Sequence, residues 1–218
     1  MADQNFYGFV QQDALATTGE GSFAPVKLSK RGDAVIIDWY TQMAIEGRVY
    51  EVKAGTITTP IVGDVLITDA AAEMCVDAPT SATTIIPCYA NISLRLGTGT
   101  LHEYAIKSVG AVSTAGTAFV PLNNLIGEAA SVATALAQTA GAVTVSAELA
   151  TTTRRHWSAS NPVAVGAGNT QTEFNWKPKA PPVITGAGCF YVQIAAATTG
   201  PTYYASFDFV ELLTTAIS

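Results

Sequence analysis

The C-terminal run GCFYVQIAAATTGPTYYASFDFVEL, Gly188–Leu212, constrains the chain more than any other stretch. Apolar residues recur there at every second position. Phe190, Val192 and Ile194 fall on one face of a strand, with Tyr191 and Gln193 on the other. After the break at Thr198-Thr199-Gly200-Pro201, Tyr203, Ala205, Phe207 and Phe209 alternate with Tyr204, Ser206 and Asp208. A period of two is the signature of a half-buried strand, and the intervening break predicts a hairpin. Phe207 and Phe209 are expected between two sheets, because a two-stranded ribbon is not stable alone in water and needs a partner sheet.

Upstream, the pattern supplies that partner. Ala34 to Ile45 is a strongly apolar run read as a strand. Arg48 to Thr59 alternates Val49, Glu51 and Lys53 against Tyr50, Val52 and Ala54, with Gly47 as the turn between the two. Val62 to Thr68, Met74 to Val76, and Thr83 to Leu96 follow as strands. Gly97-Thr98-Gly99 then predicts a hairpin into Leu101 to Val112. Over Asn124 to Ala140 the spacing of Leu125, Ala129, Val132, Leu136 and Ala140 predicts a short helix capped by Asn124 and ended by Gly141. A strand in a flat sheet is the alternative. Val143 to Leu149 is again a strand, continuing through the threonine run to Trp157. Residues 158–187 are loop-rich, and the prolines Pro178, Pro181 and Pro182 bar an interior strand, because each lacks a ladder donor.

The strand count is eight or nine, with short connections. It predicts an all-β fold: a two-sheet antiparallel β-sandwich of the jelly-roll type over residues 31–218. Residues 1–30 read as an extended N-terminal arm whose Phe6, Tyr7 and Phe9 lie on a neighbouring subunit or on the domain's own flank. A first edge strand with a loop is the alternative there. An immunoglobulin-like sandwich fits less well, since the chain is about twice the ~100 residues of that fold.

Composition bears on what surrounds such a sandwich. Only 13% of the 218 residues are charged, about half the usual share for a soluble domain. A free monomer keeps itself apart with abundant charge, so the exterior is expected to lie against copies of the same chain or other proteins. The net charge of −6 excludes strong nucleic-acid binding through phosphate neutralisation. No apolar window is long enough for a spanning helix, and Met1-Ala2-Asp3-Gln4-Asn5 lacks the basic start of a signal peptide. Cys75, Cys88 and Cys189 are odd in number and without CxxC spacing. They read as buried free thiols of a chain made in a reducing cytoplasm.

Motifs for chemistry are weak. His102 and His156 stand at no metal-ligand or triad spacing and read as surface or half-buried residues. Arg154-Arg155-His156-Trp157 fits a strand end or a subunit salt bridge better than a phosphate grip. Arg31-Gly32-Asp33 and Asn91-Ile92-Ser93 match short motifs by chance. Trp39, Trp157, Trp176 and the Tyr203-Tyr204 pair suit core or interface filling, with a sugar-binding surface as the alternative. The acid pairs Glu46 with Glu51 and Asp208 with Glu211 give no glycosidase pattern. The chain is therefore read as a non-enzyme without metal or cofactor.

With its charge-poor, Ala/Thr/Gly-rich exterior, its aromatic arm and a sandwich without a site, the chain resembles viral capsid proteins of the single jelly-roll type, and its strand-rich C-terminal third, with Trp176-Lys177-Pro178 and Tyr203 to Glu211, resembles the structural proteins of environmental phages. Leu125-Ile126-Gly127-Glu128-Ala129 and Ala140 to Val145 are similar to segments of phage head proteins. That resemblance implies a virion protein, synthesised in the host cytoplasm, that self-assembles into a shell with other virion proteins as partners. Phe6, Tyr7, Phe9 and Tyr204 are the residues expected at its contacts. The arm has no basic residue before Lys27, so the inner face is expected to meet a lipid layer, another protein shell or nothing specific rather than packaged nucleic acid. The alternative is a carbohydrate- or receptor-binding β-sandwich module, including a capsid decoration protein; a hydrolase on the same scaffold comes third.

Overall fold

A computed structural model describes residues 7–8, 24–25, 38–56, 58–68, 70–96, 101–138, 143–146, 153–160, 173–196 and 200–216. Among these, nine strands have four or more residues: β1 (Val49–Ala54), β2 (Met74–Ala78), β3 (Thr83–Leu96), β4 (Leu101–Val109), β5 (Thr134–Ala137), β6 (Thr153–Ser160), β7 (Glu173–Trp176), β8 (Gly188–Ala196) and β9 (Thr202–Leu213). All pair antiparallel. One sheet runs β1-β9-β3-β7, extended beyond β1 by the short strand Leu122–Asn123. The other runs β6-β4-β8-β2-β5, extended beyond β5 by Thr117–Phe119.

The sheets face each other across one apolar interior, giving an antiparallel β-sandwich. Val52, Phe207, Ile92 and Phe174 from the first sheet meet Met74, Ile106, Phe190 and Ile194 from the second. Aromatic rings span the gap: Trp176 stacks on Phe190 at 5.2 Å and Phe174 on Tyr104 at 5.5 Å. Burial on β9 alternates as the sequence pattern requires, with Tyr203, Ala205, Phe207 and Phe209 inside and Tyr204, Ser206 and Asp208 half-buried outside.

Both predicted hairpins prove to be crossings between sheets. β8 lies between β4 and β2, while β9 lies between β1 and β3 in the opposite sheet. Likewise β3 and β4 belong to different sheets. A hairpin would turn the two apolar faces of the C-terminal run the same way. Here they turn toward each other and bury one another, which the alternation permits equally well.

Ala34 to Ile45 is not a strand where it is described. Trp39–Ile45 forms the single α-helix, α1, among the described residues. Asp38 caps it, accepting the Thr41 N–H at 3.0 Å, and Gly47 follows at φ +69°. Tyr40, Met43 and Ala44, at helical spacing, pack on Val49, Ile86, Val210 and Leu212. The β9 end is thus buried on both faces, Phe209 toward the interior and Val210 under α1.

Of the helix expected over 124–140, the described residues 124–138 form none. The Asn123 side chain takes the Leu125 N–H at 2.8 Å, forming a turn instead of a cap, and Gly127 adopts φ +98°. The alanine-rich remainder becomes β5, paired with β2 from Thr134 opposite Asp77 to Ala137 opposite Met74. Val62 to Thr68 reduces to the short strand Ile61–Val62, after which Asp64 bridges Ala195 in parallel. In the stretch expected as an arm, Tyr7–Gly8 pairs with Ala24–Pro25. The strand read from Val143 through Trp157 is realised as Val143–Thr144 and β6, and 147–152 fall outside the described residues. No helix among the described residues is long and apolar enough to cross a membrane.

Candidate assembly surface

Titratable groups in the interior serve to hold loops. The Glu73 carboxylate is buried, and its Oε2 accepts the Ile194 N–H at 2.8 Å. Burial pushes this carboxyl well above its usual range, helped by neighbouring Asp64. Asp77, also raised by burial, accepts Ser113 N–H at 3.0 Å and Ser113 Oγ–H at 2.6 Å. Ser113 Oγ lies 2.9 Å from Cys75 Sγ. Glu211 accepts Ser131 Oγ–H at 2.5 Å and the N–H groups of Val132 and Ala133 at 3.1 and 2.9 Å.

The three carboxylates tie the Asp64, Ser113 and Ser131–Ala133 segments to the sheets. Glu73 and Asp77 are closed off from solvent, so they offer no chemistry to an outside substrate. His102, expected at or near the surface, is fully buried on β4; its position on a central strand outweighs its polarity. No group of three His, Cys, Asp or Glu side chains among the described residues could hold a metal ion. Cys75, Cys88 and Cys189 are free thiols, Cys75 and Cys189 buried and Cys88 half-buried.

The outer face of the first sheet is half apolar and half polar. Where α1 ends its cover, a grid of polar side chains begins. Across β1, β9 and β3 one row holds Glu51, Asp208 and Tyr89; the next row runs Lys53, Ser206, Asn91 and, on β7, Asn175. Asn91 Nδ2–H donates to Asn175 Oδ1 at 2.7 Å and also to Glu173, while Tyr89 O–H donates to Asn175. Burial and neighbouring Glu51 push Asp208 up to about 6, and Tyr40 O–H reaches its Oδ2 at 3.5 Å.

Of the four residues expected at contacts, only Tyr204 has a described side chain. It lies half-buried on this outer face, opposite Ser93, with its ring over Gly55. Phe6 and Phe9 lie outside the described residues; Tyr7 is placed only as a strand residue opposite Pro25. Trp176 and Tyr203, weighed as a sugar platform, are buried in the interior.

A different surface stands out at the edge where Leu122–Asn123 joins β1. Val120, Leu122, Val132, Leu213 and Ile45 there are between 56% and 73% exposed, and Ile126 at the turn tip is 97% exposed. Beside the turn opens a cleft of about 230 Å³ lined by Glu46, Arg48, Glu211, Val132 and Leu213 among others. Sequence reasoning passed over this patch because a helix over 124–140 would have turned Leu125 and Val132 inward. The signal that pointed elsewhere was Asn123-Asn124 with Gly127, a pair of turn formers around an aliphatic tip.

No protein-family model, curated protein or solved structure matches the chain.

Proposed function

We propose that the chain is a structural subunit of the jelly-roll type that assembles with copies of itself into a shell such as a viral capsid. The observation that carries this reading is the nesting of its strand pairs. β1 pairs with β9, β2 with β8, β3 with β7 and β4 with β6. These are the rungs of one long antiparallel ribbon with β5 in the excursion at its tip. The further pairs β9 with β3 and β8 with β4 close the ribbon into two sheets, so successive rungs alternate between the sheets. That wrapping supports reading the sandwich as the double Greek key of a jelly roll, an architecture used by capsid and lectin domains.

Topology alone does not choose a function. The low charge and the exposed aliphatic edge favour the shell, since patches of this kind mark protein contacts. In this reading residues 1–30 act as an arm and 31–218 as the sandwich, with a virion as the place of assembly. Electron microscopy of the purified protein is expected to show multi-subunit particles or oligomers; a monomer at high concentration and physiological salt would sink the reading.

A second reading has its own observation. The grid of Tyr89, Asn91, Asn175 and Glu173 on the outer face suits hydrogen bonding to sugar hydroxyls, as in a carbohydrate-binding module. Glycan titration monitored at these residues separates the two readings: chemical-shift changes confined to this face in a monomeric protein favour the module.

A further inference from the structure

We propose that residues 61–66 form a strap across one end of the sandwich, and that the strap stays seated on β8 only while the Glu73 side chain keeps its proton.

The strap joins the two sheets. In the first sheet Ile61 lies opposite Tyr203 of β9 and Val62 opposite Thr202; in the second, Asp64 bridges Ala195 of β8. Ile61 is wholly buried in the interior, whereas Val65 and Leu66 are 53% and 56% exposed. Between them the backbone passes close over the turn before β9. Gly63 N–H donates to Pro201 O at 2.7 Å, and a side chain on Gly63 would begin only 2.7 Å from Ile194 O. One on Gly200 would overlap Gly63 O, so both crossing points need glycine.

Glu73 supplies a rung that neither backbone provides. The pairing of β2 with β8 ends at Met74 opposite Val192, and Asp64 takes over at Ala195. Between these, Glu73 Oε2 accepts the Ile194 N–H at 2.8 Å, Ile194 O accepts the Asp64 N–H at 3.0 Å, and Ala196 N–H donates to Asp64 O at 3.0 Å. Ile194 therefore holds the acid by its N–H and the strap by its carbonyl. Glu73 is 2% exposed. Facing it are Asp64 on the strap and Tyr203 on β9, with Tyr104 of β4 next to Tyr203. Asp77 lies further along β2. On β4, across β8, Lys107 opposite Tyr191 and Glu103 opposite Ala195 offset one another.

An ionised Glu73 would be a buried carboxylate beside a second acid, a form that burial disfavours strongly. Moving the strap outward lets water reach it. The loss is a few backbone hydrogen bonds, because Val65 and Leu66 are already in solvent. Gln193 Nε2–H holds Thr68 O and Ala71 O at the far end, and Ile61 anchors the near end, so the movement is confined to 62–67. Closed, the strap retains the proton; open, it releases it near the ordinary 4.5. The closed form is thus fully favoured below about pH 4.5. Above it, opening grows by up to about tenfold per pH unit and levels off once the closed form ionises as well.

Amide exchange followed by NMR from about pH 5 to 9, with each rate corrected for its intrinsic base catalysis, reads this opening. Protection at Asp64 and Ala196 is expected to fall by up to about tenfold per pH unit, while Phe207 in the middle of β9 keeps its protection. In Glu73→Gln, which retains a carbonyl for the Ile194 N–H but has no proton to lose, the same two amides are expected to show constant protection. Asp64→Asn removes the neighbouring charge, so in that variant the fall should level off at a lower pH. Flat protection in the parent overturns the proposal, as does a fall that Phe207 shares or one that persists in Glu73→Gln. An Asp64→Asn profile identical to the parent's overturns it as well, and that variant serves even where Glu73→Gln does not fold.

Discussion

Phe190 and Phe207 meet edge to face with ring centroids 5.1 Å apart, although their strands follow one another in sequence and belong to opposite sheets. Phe190 also stacks on Trp176. The contact therefore joins β7, β8 and β9 through the middle of the sandwich.

Replacing Phe207 with Ala removes the ring from a fully enclosed position and leaves a void, at a cost of about 3–5 kcal/mol. For a chain of this length the melting temperature falls by roughly 2–4 °C per kcal/mol, so a drop on the order of 10 °C is expected by calorimetry. Tyr204→Ala, on the outer face one residue earlier, is expected to lower it far less. Equal losses at the two positions would contradict the assignment of the faces.

Glu211→Ala removes the acceptor that holds Ser131, Val132 and Ala133. Hydrogen bonds to a charged acceptor contribute roughly 1.5–3 kcal/mol each at most, and part of that returns as solvation of the freed N–H groups. A net loss of about 2 kcal/mol is expected, with amide exchange accelerating at Val132 and Ala133 well before the amides of β5. Exchange unchanged at those two amides would show that the loop is held by other contacts.

How much of this was legible in the sequence follows from what each pattern encodes. Period-two alternation fixes which residues of a strand share a face, and on β8 and β9 every inward assignment agrees with the interior. It does not encode which strand lies alongside. Phe190 and Phe207 obey the same alternation whether their strands pair or face each other, so the hairpin reading could not be separated from the crossing. At Trp39–Ile45 the apolar run suited a strand, yet the Asp38 cap and Gly47 mark a helix, and these signals were outweighed by counting apolar residues. At 124–140 an apparent helical period was overridden by tertiary contacts: Glu211, some eighty residues later, takes the N–H groups that a helix would use internally. The cleft was illegible because its walls come from the Glu46–Arg48 turn after α1, from β1, β3 and β9, and from Val132.

The thiols give a kinetic check on burial. Burial raises Cys75 to about 12, with Asp77 nearby adding to the effect, and raises Cys88 to about 11. Cys189 moves upward for the same reasons. Thiolate is the reacting form, so all three should label slowly at neutral pH. Only Cys88, half-buried beside α1, is expected to react in the native protein. Mass spectrometry of alkylated protein should find Cys75 and Cys189 modified at the rate of unfolding; rapid native labelling of either would mean that the Val143–Val145 cover over them opens readily.

Asp208 gives the molecule a pH-dependent term whose sign is fixed by the direction of its shift. Its folded-state value of about 6 lies above the ordinary 3.8 because burial and Glu51 disfavour the charged form, while Tyr40 and Lys53 oppose them. Between those two values the folded protein holds a proton that the unfolded chain has released. Stability from this site is therefore fully present below about pH 4 and is lost as pH rises through about 6. Asp208→Asn keeps the shape and an acceptor for Tyr40 but cannot ionise, so it removes this loss. Urea midpoints measured from pH 4 to 7 on parent and variant isolate the term, since carboxylates away from Asp208 cancel in the difference. The variant is expected to gain on the parent steadily across that range and then level off. A difference that stays flat, or one that runs the other way, would mean that the Asp208 carboxyl is better solvated between Tyr40 and Glu51 than its burial implies.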